Sequence, residues 1–386
     1  MMLLRHIVFL IALVAWLTGC GSNDIKDEDL FEPAALVKFE PELKLKKRWS
    51  VSVGNGQGKS YTKIAPVLDD DYIYVAAYNG HVLSIEQESG KRRWLQKTKL
   101  PITGGVGAAY DRVFVGTENG EVVAMAAEDG AILWRTQLSS EVLSAPQTDG
   151  EIVVVPSYDG KLYGLNFETG KKVWEYDSSL PVLTLRGTAN PVVDGETVIA
   201  AFANGKLVAF DIATGLVRWE QRVAISQGRS EIERIVDIDG APLLDAPLVY
   251  AVSYQGRLVA MESGSGRPLW RKEASSFVAL AEGFGNVYVA EANGKVGAYN
   301  SQEGTLRWQQ EELAWRKLSA PATMSSYVAV ADYDGYVHLL SQVDGHMVAR
   351  TRVDSSGVRA PLLTYDDTLL VYGNGGKLVA LGIQKD

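Results

Sequence analysis

The stretch Ala209-Phe210-Asp211-Ile212-Ala213-Thr214-Gly215-Leu216-Val217-Arg218-Trp219 decides the fold, because it is one copy of a unit that recurs along the chain. Its pattern is Ala-x-Asp-x-x-(Thr/Ser/Asp)-Gly-x-x-x-Trp. Gly90 precedes Trp94 at the same spacing, as Gly130 precedes Trp134, Gly170 Trp174, Gly266 Trp270 and Gly304 Trp308. Counted from Trp49, successive tryptophans lie 45, 40, 40, 45, 51 and 38 residues apart. Gly345 continues the series, but Ala349 stands where its tryptophan would be. A period near 40 residues is the mark of a repeat architecture and overrides any count of domains from length.

A second marker lies about ten residues before each of these glycines. The dipeptides Asn79-Gly80, Asn119-Gly120, Asp159-Gly160, Asn204-Gly205, Gln255-Gly256, Asn293-Gly294, Asp334-Gly335 and Gly375-Gly376 each separate two β-rich runs. Polar-Gly pairs supply the positive φ of tight hairpin turns. The flanking runs, such as Tyr72–Ala76 and Lys161–Leu165, are short, β-branched and aromatic, as strands are. Beyond residue 20 no helical periodicity of useful length appears. Eight turns therefore mean eight units of four antiparallel strands. One such small sheet cannot bury both its faces, whereas radial stacking does so. The expected fold is all-β, an eight-bladed β-propeller. The last unit lacks its fourth strand, and a spare copy stands near the start, at Leu45-Lys46-Lys47-Arg48-Trp49. The N-terminus is thus expected to close the ring and leave no sheet edge open. The repeated tryptophan, one per blade, is expected to pack between neighbouring sheets.

The N-terminus reads as a targeting segment. Arg5 and His6 precede an apolar run from Ile7 to Leu17, too short to span a bilayer of about 30 Å as a helix. The run ends in Leu17-Thr18-Gly19-Cys20, which resembles a lipoprotein processing site. Cys20 is the single cysteine, so no internal disulfide or cysteine metal site exists. The expected organisation is a signal peptide over 1–19, a lipidated Cys20 with a flexible tether over 20–45, and the propeller over 46–386. A net charge of −9 argues against nucleic acid. It also leads us to expect membrane attachment through acyl chains and not through a basic surface.

Enzymatic and metal chemistry find little support. Gly54-Asn55-Gly56-Gln57-Gly58-Lys59-Ser60 resembles a phosphate loop, but Val53 occupies the position where that pattern requires glycine. A flexible strand connection is the better reading. Asp237-Ile238-Asp239-Gly240 resembles a fragment of a Ca²⁺ loop without its remaining ligands. Asp69-Asp70-Asp71 reads as a solvated turn. The histidines have no ligand-like spacing. The repeat is similar to that of quinoprotein propellers, but units of near-minimal length leave little room for a quinone pocket. No cofactor and no metal are expected.

Binding sites in repeat proteins collect where the repeat is broken. Two consecutive inter-blade connectors outgrow the others. One runs from Trp174 to Val192 through Pro181–Gly187, the other from Trp219 to about Ala241 through Gln227–Asp239. Consecutive units place them side by side on one face. Leucines and an arginine on one, and a pair of aspartates on the other, suit an interface of apolar anchors and charged orienting groups. The bland alternative makes Leu183 and Leu185 strand or core positions and pairs Arg186 internally with an aspartate.

The lipoprotein site, the eight repeats, Leu183-Thr184-Leu185-Arg186-Gly187, the stretch from Ile225-Ser226-Gln227 to Asp239, and Val353-Asp354-Ser355-Ser356-Gly357 together resemble the BamB family. These are the lipoprotein subunits of the β-barrel assembly machinery (the BAM complex) in Gram-negative outer membranes. The resemblance spans essentially the whole chain. It implies a non-enzymatic scaffold, lipid-anchored to the outer membrane and facing the periplasm. Such a scaffold binds the POTRA domains of BamA and assists folding and insertion of outer-membrane proteins. It further implies that Leu183, Leu185, Arg186, Asp237 and Asp239 bind the partner and that Cys20 carries lipid. Contact with nascent barrel proteins stays open. The alternatives are another cell-envelope propeller lipoprotein, such as an adhesion or sensor module, and, more remotely, a quinone-dependent dehydrogenase.

Overall fold

The computed structural model describes residues 31–59 and 61–384; Cys20 and the processing site lie outside them. Within these residues the chain forms eight four-stranded antiparallel sheets and no α-helix. Seven blades use four consecutive strands each, spanning 67–97, 102–137, 147–177, 192–222, 243–274, 281–310 and 322–352. We number these blades 1 to 7. Blade 8 takes three strands from 363–384, and its fourth is Lys44–Ser52.

Why this arrangement closes into a ring follows from where the apolar residues go. There are eight core clusters, and each combines residues of two consecutive blades. The one joining the ends unites Ile73, Val75 and Leu83 of blade 1 with Leu370, Tyr372 and Trp49 of blade 8. A single blade would leave such a row of Val, Ile and Leu in water; facing blades bury it at about 25 cal/mol per Å².

The recurring Gly-x-x-x-Trp has a specific structural cause. Each of the seven repeat tryptophans sits on the outermost strand of its blade. Its indole Nε1–H donates to a main-chain carbonyl of the next blade at 2.8–3.0 Å, as Trp174 does to Ile212 and Trp49 to Gln87. The glycine of that next blade lies under the indole. At Gly215 φ is +71°, and a Cβ would stand 2.6 Å from the Trp174 ring. Both the turn and the close approach require glycine. The glycine of one repeat therefore belongs with the tryptophan of the repeat before it. The expected inter-blade packing of tryptophan is what the structure contains.

Ring closure is also as expected. Lys44–Ser52 pairs antiparallel with Lys377–Gln384, with an irregularity between Lys47 and Trp49. The chain joins the propeller earlier than the expected boundary at residue 46, however. Ala34 N–H donates to the Ala314 carbonyl and Glu42 N–H to that of Val348. Phe39 packs on the core between blades 6 and 7, and Leu43 on the core between blades 7 and 8. This strap, residues 34–43, covers the outer strand of blade 7, the blade in which Ala349 replaces tryptophan.

The glycine-rich segment after the closing strand is more ordered than the flexible connection read from its sequence. Val53 and Gln57 N–H groups donate to the carbonyls of Gly376 and Asn374, and Tyr78 N–H donates to that of Gly56. Gln57 is fully buried, bonding Ile64 and Thr62. These glycines let two turns touch and form no phosphate cradle.

Candidate functional site

Because strands alternate in direction, every inter-blade connector emerges on the face that also carries the eight polar-Gly turns. The first strand of each blade lies innermost, where neighbouring first strands touch. The connectors therefore surround the mouth of the central channel. Residues from seven of them, among them Tyr61, Lys63, Arg186, Asp239 and Arg359, line a cavity of about 70 Å³ there.

The two long connectors meet as expected, but their residues divide into two roles. On the first, Leu180, Val182 and Leu183 point outward; Val182 is 84% exposed and Leu183 44%. Leu185 and Arg186 are half-buried. On the second, residues 226–234 fold back on themselves. Arg229 and Ser230 N–H groups donate to Glu233 Oε2 at 2.6 and 3.2 Å, and Ser226 Oγ donates to the Arg234 carbonyl at 2.8 Å. That turn presents Ile225 and Ile232 to solvent. From Ile235 to Gly240 the connector is buried.

The aspartates lie inside, not on the surface where a reading of them as exposed orienting charges would put them. Asp237 is fully buried and accepts the Leu185 N–H at 2.5 Å through Oδ2, while Oδ1 has no partner. Its main-chain carbonyl accepts from Tyr254 N–H. Asp239 is 8% exposed and its carboxylate abuts Gly187, where a Cβ would stand 2.8 Å from Asp239 Cγ. Glycine is thus needed for the connectors to approach. Burial, and second the neighbouring Asp239, push the Asp237 carboxyl up to about 7. Burial also raises that of Asp239, with Lys63 acting in the opposite sense. Burial lowers the Lys63 ammonium, which donates to the Phe277 carbonyl at 2.7 Å.

Arg186 pairs with Glu141, a residue of the connector between blades 2 and 3, in a two-pronged bridge of 2.6 and 2.8 Å. Such a fork fixes geometry as well as charge. Sequence reasoning missed Glu141, because its connector has ordinary length and nothing in it departs from the repeat. It missed Arg359 for the same reason, and it missed Tyr61 and Lys63 because their connector, residues 53–66, was read as a flexible strand connection although it is as long as the one over 178–191. Their one available signal was a place in the connector series. The Arg359 guanidinium stacks on the Tyr61 ring at 5.0 Å and its Nε donates to Asn374 Oδ1 at 3.3 Å.

Known proteins resemble the chain over nearly its full length. A family model described as outer membrane protein assembly factor BamB matches residues 79–310 and 292–385. A curated relative from Pseudomonas aeruginosa, named outer membrane protein assembly factor BamB, is 50% identical over 375 residues, 97% of this chain and 98% of its own. The crystal structure of BamB from Moraxella catarrhalis superposes with a TM-score of 0.81 at 29% identity, covering 88% of this chain and all of that one. A europium-containing methanol dehydrogenase superposes with a TM-score of 0.74 at 14% identity, covering 88% and 93%, a likeness of fold alone.

Proposed function

The chain belongs to the BamB family of outer membrane protein assembly factors, and from that premise we propose that it is a non-enzymatic scaffold of the BAM complex that grips BamA by its two long connectors. Its part in outer-membrane protein assembly follows from the family. The finer reading has the POTRA domains of BamA as the partner and lipid on Cys20 holding the protein to the periplasmic side of the outer membrane. The observation that carries it is the pair of connectors pinned together at their bases, with Val182, Leu183, Ile225 and Ile232 left in water at their tips. Apolar side chains on polar-anchored loops are what a desolvated interface needs at its centre. Leu183 is then a contact residue. Leu185, Arg186, Asp237 and Asp239 act by holding the loop that presents it, with Glu141 as a further positioning residue. A dehydrogenase reading has the fold in its favour and nothing else.

The test is capture of BamA from detergent-solubilised envelopes by the lipidated protein. Wild type is expected to retain it and Leu183→Ala with Ile232→Ala to lose most of it, at unchanged melting temperature. Full capture by that folded double variant would move the interface elsewhere.

A further inference from the structure

The outermost strand of blade 8 reads Lys44-Leu45-Lys46-Lys47-Arg48-Trp49-Ser50-Val51-Ser52. Lys44, Lys46, Lys47 and Arg48 are exposed, as is Lys38 in the strap. None of the five makes an ion pair among the described residues, where many other surface cations have a carboxylate within 4 Å. The neighbouring blades continue the trend. The outer strand of blade 1 carries Arg92, Arg93 and Lys97 and no carboxylate; that of blade 7 carries Arg350 and Arg352 and no carboxylate. Across the ring carboxylates offset the cations: Glu175 and Asp177 accompany Lys172 on the outer strand of blade 3, Glu220 accompanies Arg218 and Arg222 on that of blade 4, and Glu273 accompanies Arg271 and Lys272 on that of blade 5. A chain of net charge −9 thus has the most basic stretch of its rim on the closing strand, Lys44–Ser52, with four cations and no carboxylate. The nearby carboxylates are Glu40 and Glu42 of the strap, the latter held by His346, and Asp366 and Asp367 at a blade 8 turn.

We propose that this rim, centred on Lys44, Lys46, Lys47 and Arg48, binds the anionic phospholipid surface to which the chain is anchored. Three arguments select that occupant. The charge is complementary to phosphate headgroups and lies on exposed side chains without ion pairs, of which Arg48 also donates to Thr368 Oγ1 and the Asp367 carbonyl. The strap seats the chain from Ala34 onward, so Cys20 lies fourteen residues from the seat. That permits a reach of about 45–50 Å at full extension, within which the rim can meet the headgroups; this rests on the reading of Cys20 as the lipid-bearing residue. Finally, screening decides the balance of charge. At physiological salt the Debye length is about 8 Å, so a rim at the headgroups responds to its own cations while most of the net negative charge is screened. Net charge alone points to attachment by acyl chains without a basic surface; the proposal adds this rim to that attachment.

The test uses the chain from Gly21, which lacks Cys20 and retains the closed propeller, so that lipidation plays no part. Sedimentation is measured with vesicles of phosphatidylcholine alone and of phosphatidylcholine mixed equally with phosphatidylglycerol. Binding is expected to the mixed vesicles alone and to fall with added salt. Near an anionic surface each cation is worth about fivefold in partitioning. Lys44→Gln, Lys46→Gln and Lys47→Gln together are therefore expected to weaken it by about a hundredfold. Lys171→Gln with Lys172→Gln, on blade 3, is expected to leave it unchanged. Melting curves report whether the closing strand stays paired. No binding to the mixed vesicles, equal binding to both compositions, or an equal loss in both variants would overturn the proposal. Failure of the Cys20 reading would show separately, as an unmodified mass of the full-length protein from membranes, and would leave the vesicle result standing.

Discussion

At the scale of single residues, the informative group is Asp237, whose carboxylate joins one connector to the other. In the unfolded chain it titrates near 3.8; folded, burial and Asp239 raise it to about 7. A group raised on folding binds its proton more tightly in the native state. Its contribution to stability is fully present below the unfolded value and is lost as pH rises through the folded one. Asp237→Asn keeps the shape and an acceptor for Leu185 N–H and removes the titration. The gain in melting temperature from pH 8 to pH 5 is expected to be smaller in the variant than in wild type; an equal gain would place the titration on another group. The sequence disclosed that Asp237 and Asp239 stand in an unusual place, since their connector outgrows the repeat. It could not disclose that they face inward. An aspartate doublet ending a polar loop looks the same whether its oxygens meet solvent or the N–H of Leu185, 52 residues away.

Elements show the same division between what repeats and what does not. The strands, the turns and the closing role of Leu45–Trp49 were legible because each rests on a local signal copied around the ring, β-rich runs between polar-Gly turns. The strap had no such signal. It is held largely by main-chain groups, with the Ala34 carbonyl accepting from Arg316 Nη1 at 2.9 Å and the Val37 carbonyl from Arg350 Nη1 at 3.0 Å. A carbonyl leaves no trace in the choice of side chain. The arginines are in turn fixed from within the propeller. Arg316 binds Asp332 and Asp334, and the buried His338 lies between Asp332 and Arg350. Truncations separate tether, strap and strand. A chain starting at Ala34 is expected to melt like one starting at Gly21. Starting at Lys44 is expected to lower the melting temperature by several degrees, since it strips the apolar cover and two charge-assisted hydrogen bonds, worth about 1.5–3 kcal/mol each, from blade 7 and the connector that leads into it. Starting at Val53 removes the fourth strand of blade 8 and exposes new edges; aggregation or loss of the cooperative transition is expected. Identical melting of the first three chains would deny the strap any structural part.

On the scale of the whole molecule, the ring separates two kinds of work. In a ring of eight, blade 8 stands opposite blade 4, so the basic rim lies across the molecule from the long connectors that flank blade 4. A protein held at the membrane by one side would present its paired connectors on the other, clear of the headgroups. The repeat supplies a ring in which tryptophans bridge seven of the eight junctions between blades, the exception being that between blades 7 and 8, where Ala349 stands instead. On the proposed reading the departures from the repeat carry the contacts. The connectors are the decisive part of the molecule, and their role is read from the dissociation constant for the purified POTRA domains of BamA. Truncating a side chain at the centre of an interface costs more than about 2 kcal/mol. Leu183→Ala is therefore expected to weaken binding by about thirtyfold or more, as is Asp237→Ala, which frees the connector that presents Leu183. The double variant is expected to fall well short of the product of the two losses, because both act on one loop. Folded variants that bind the POTRA domains as wild type does would contradict the account and return these residues to internal packing.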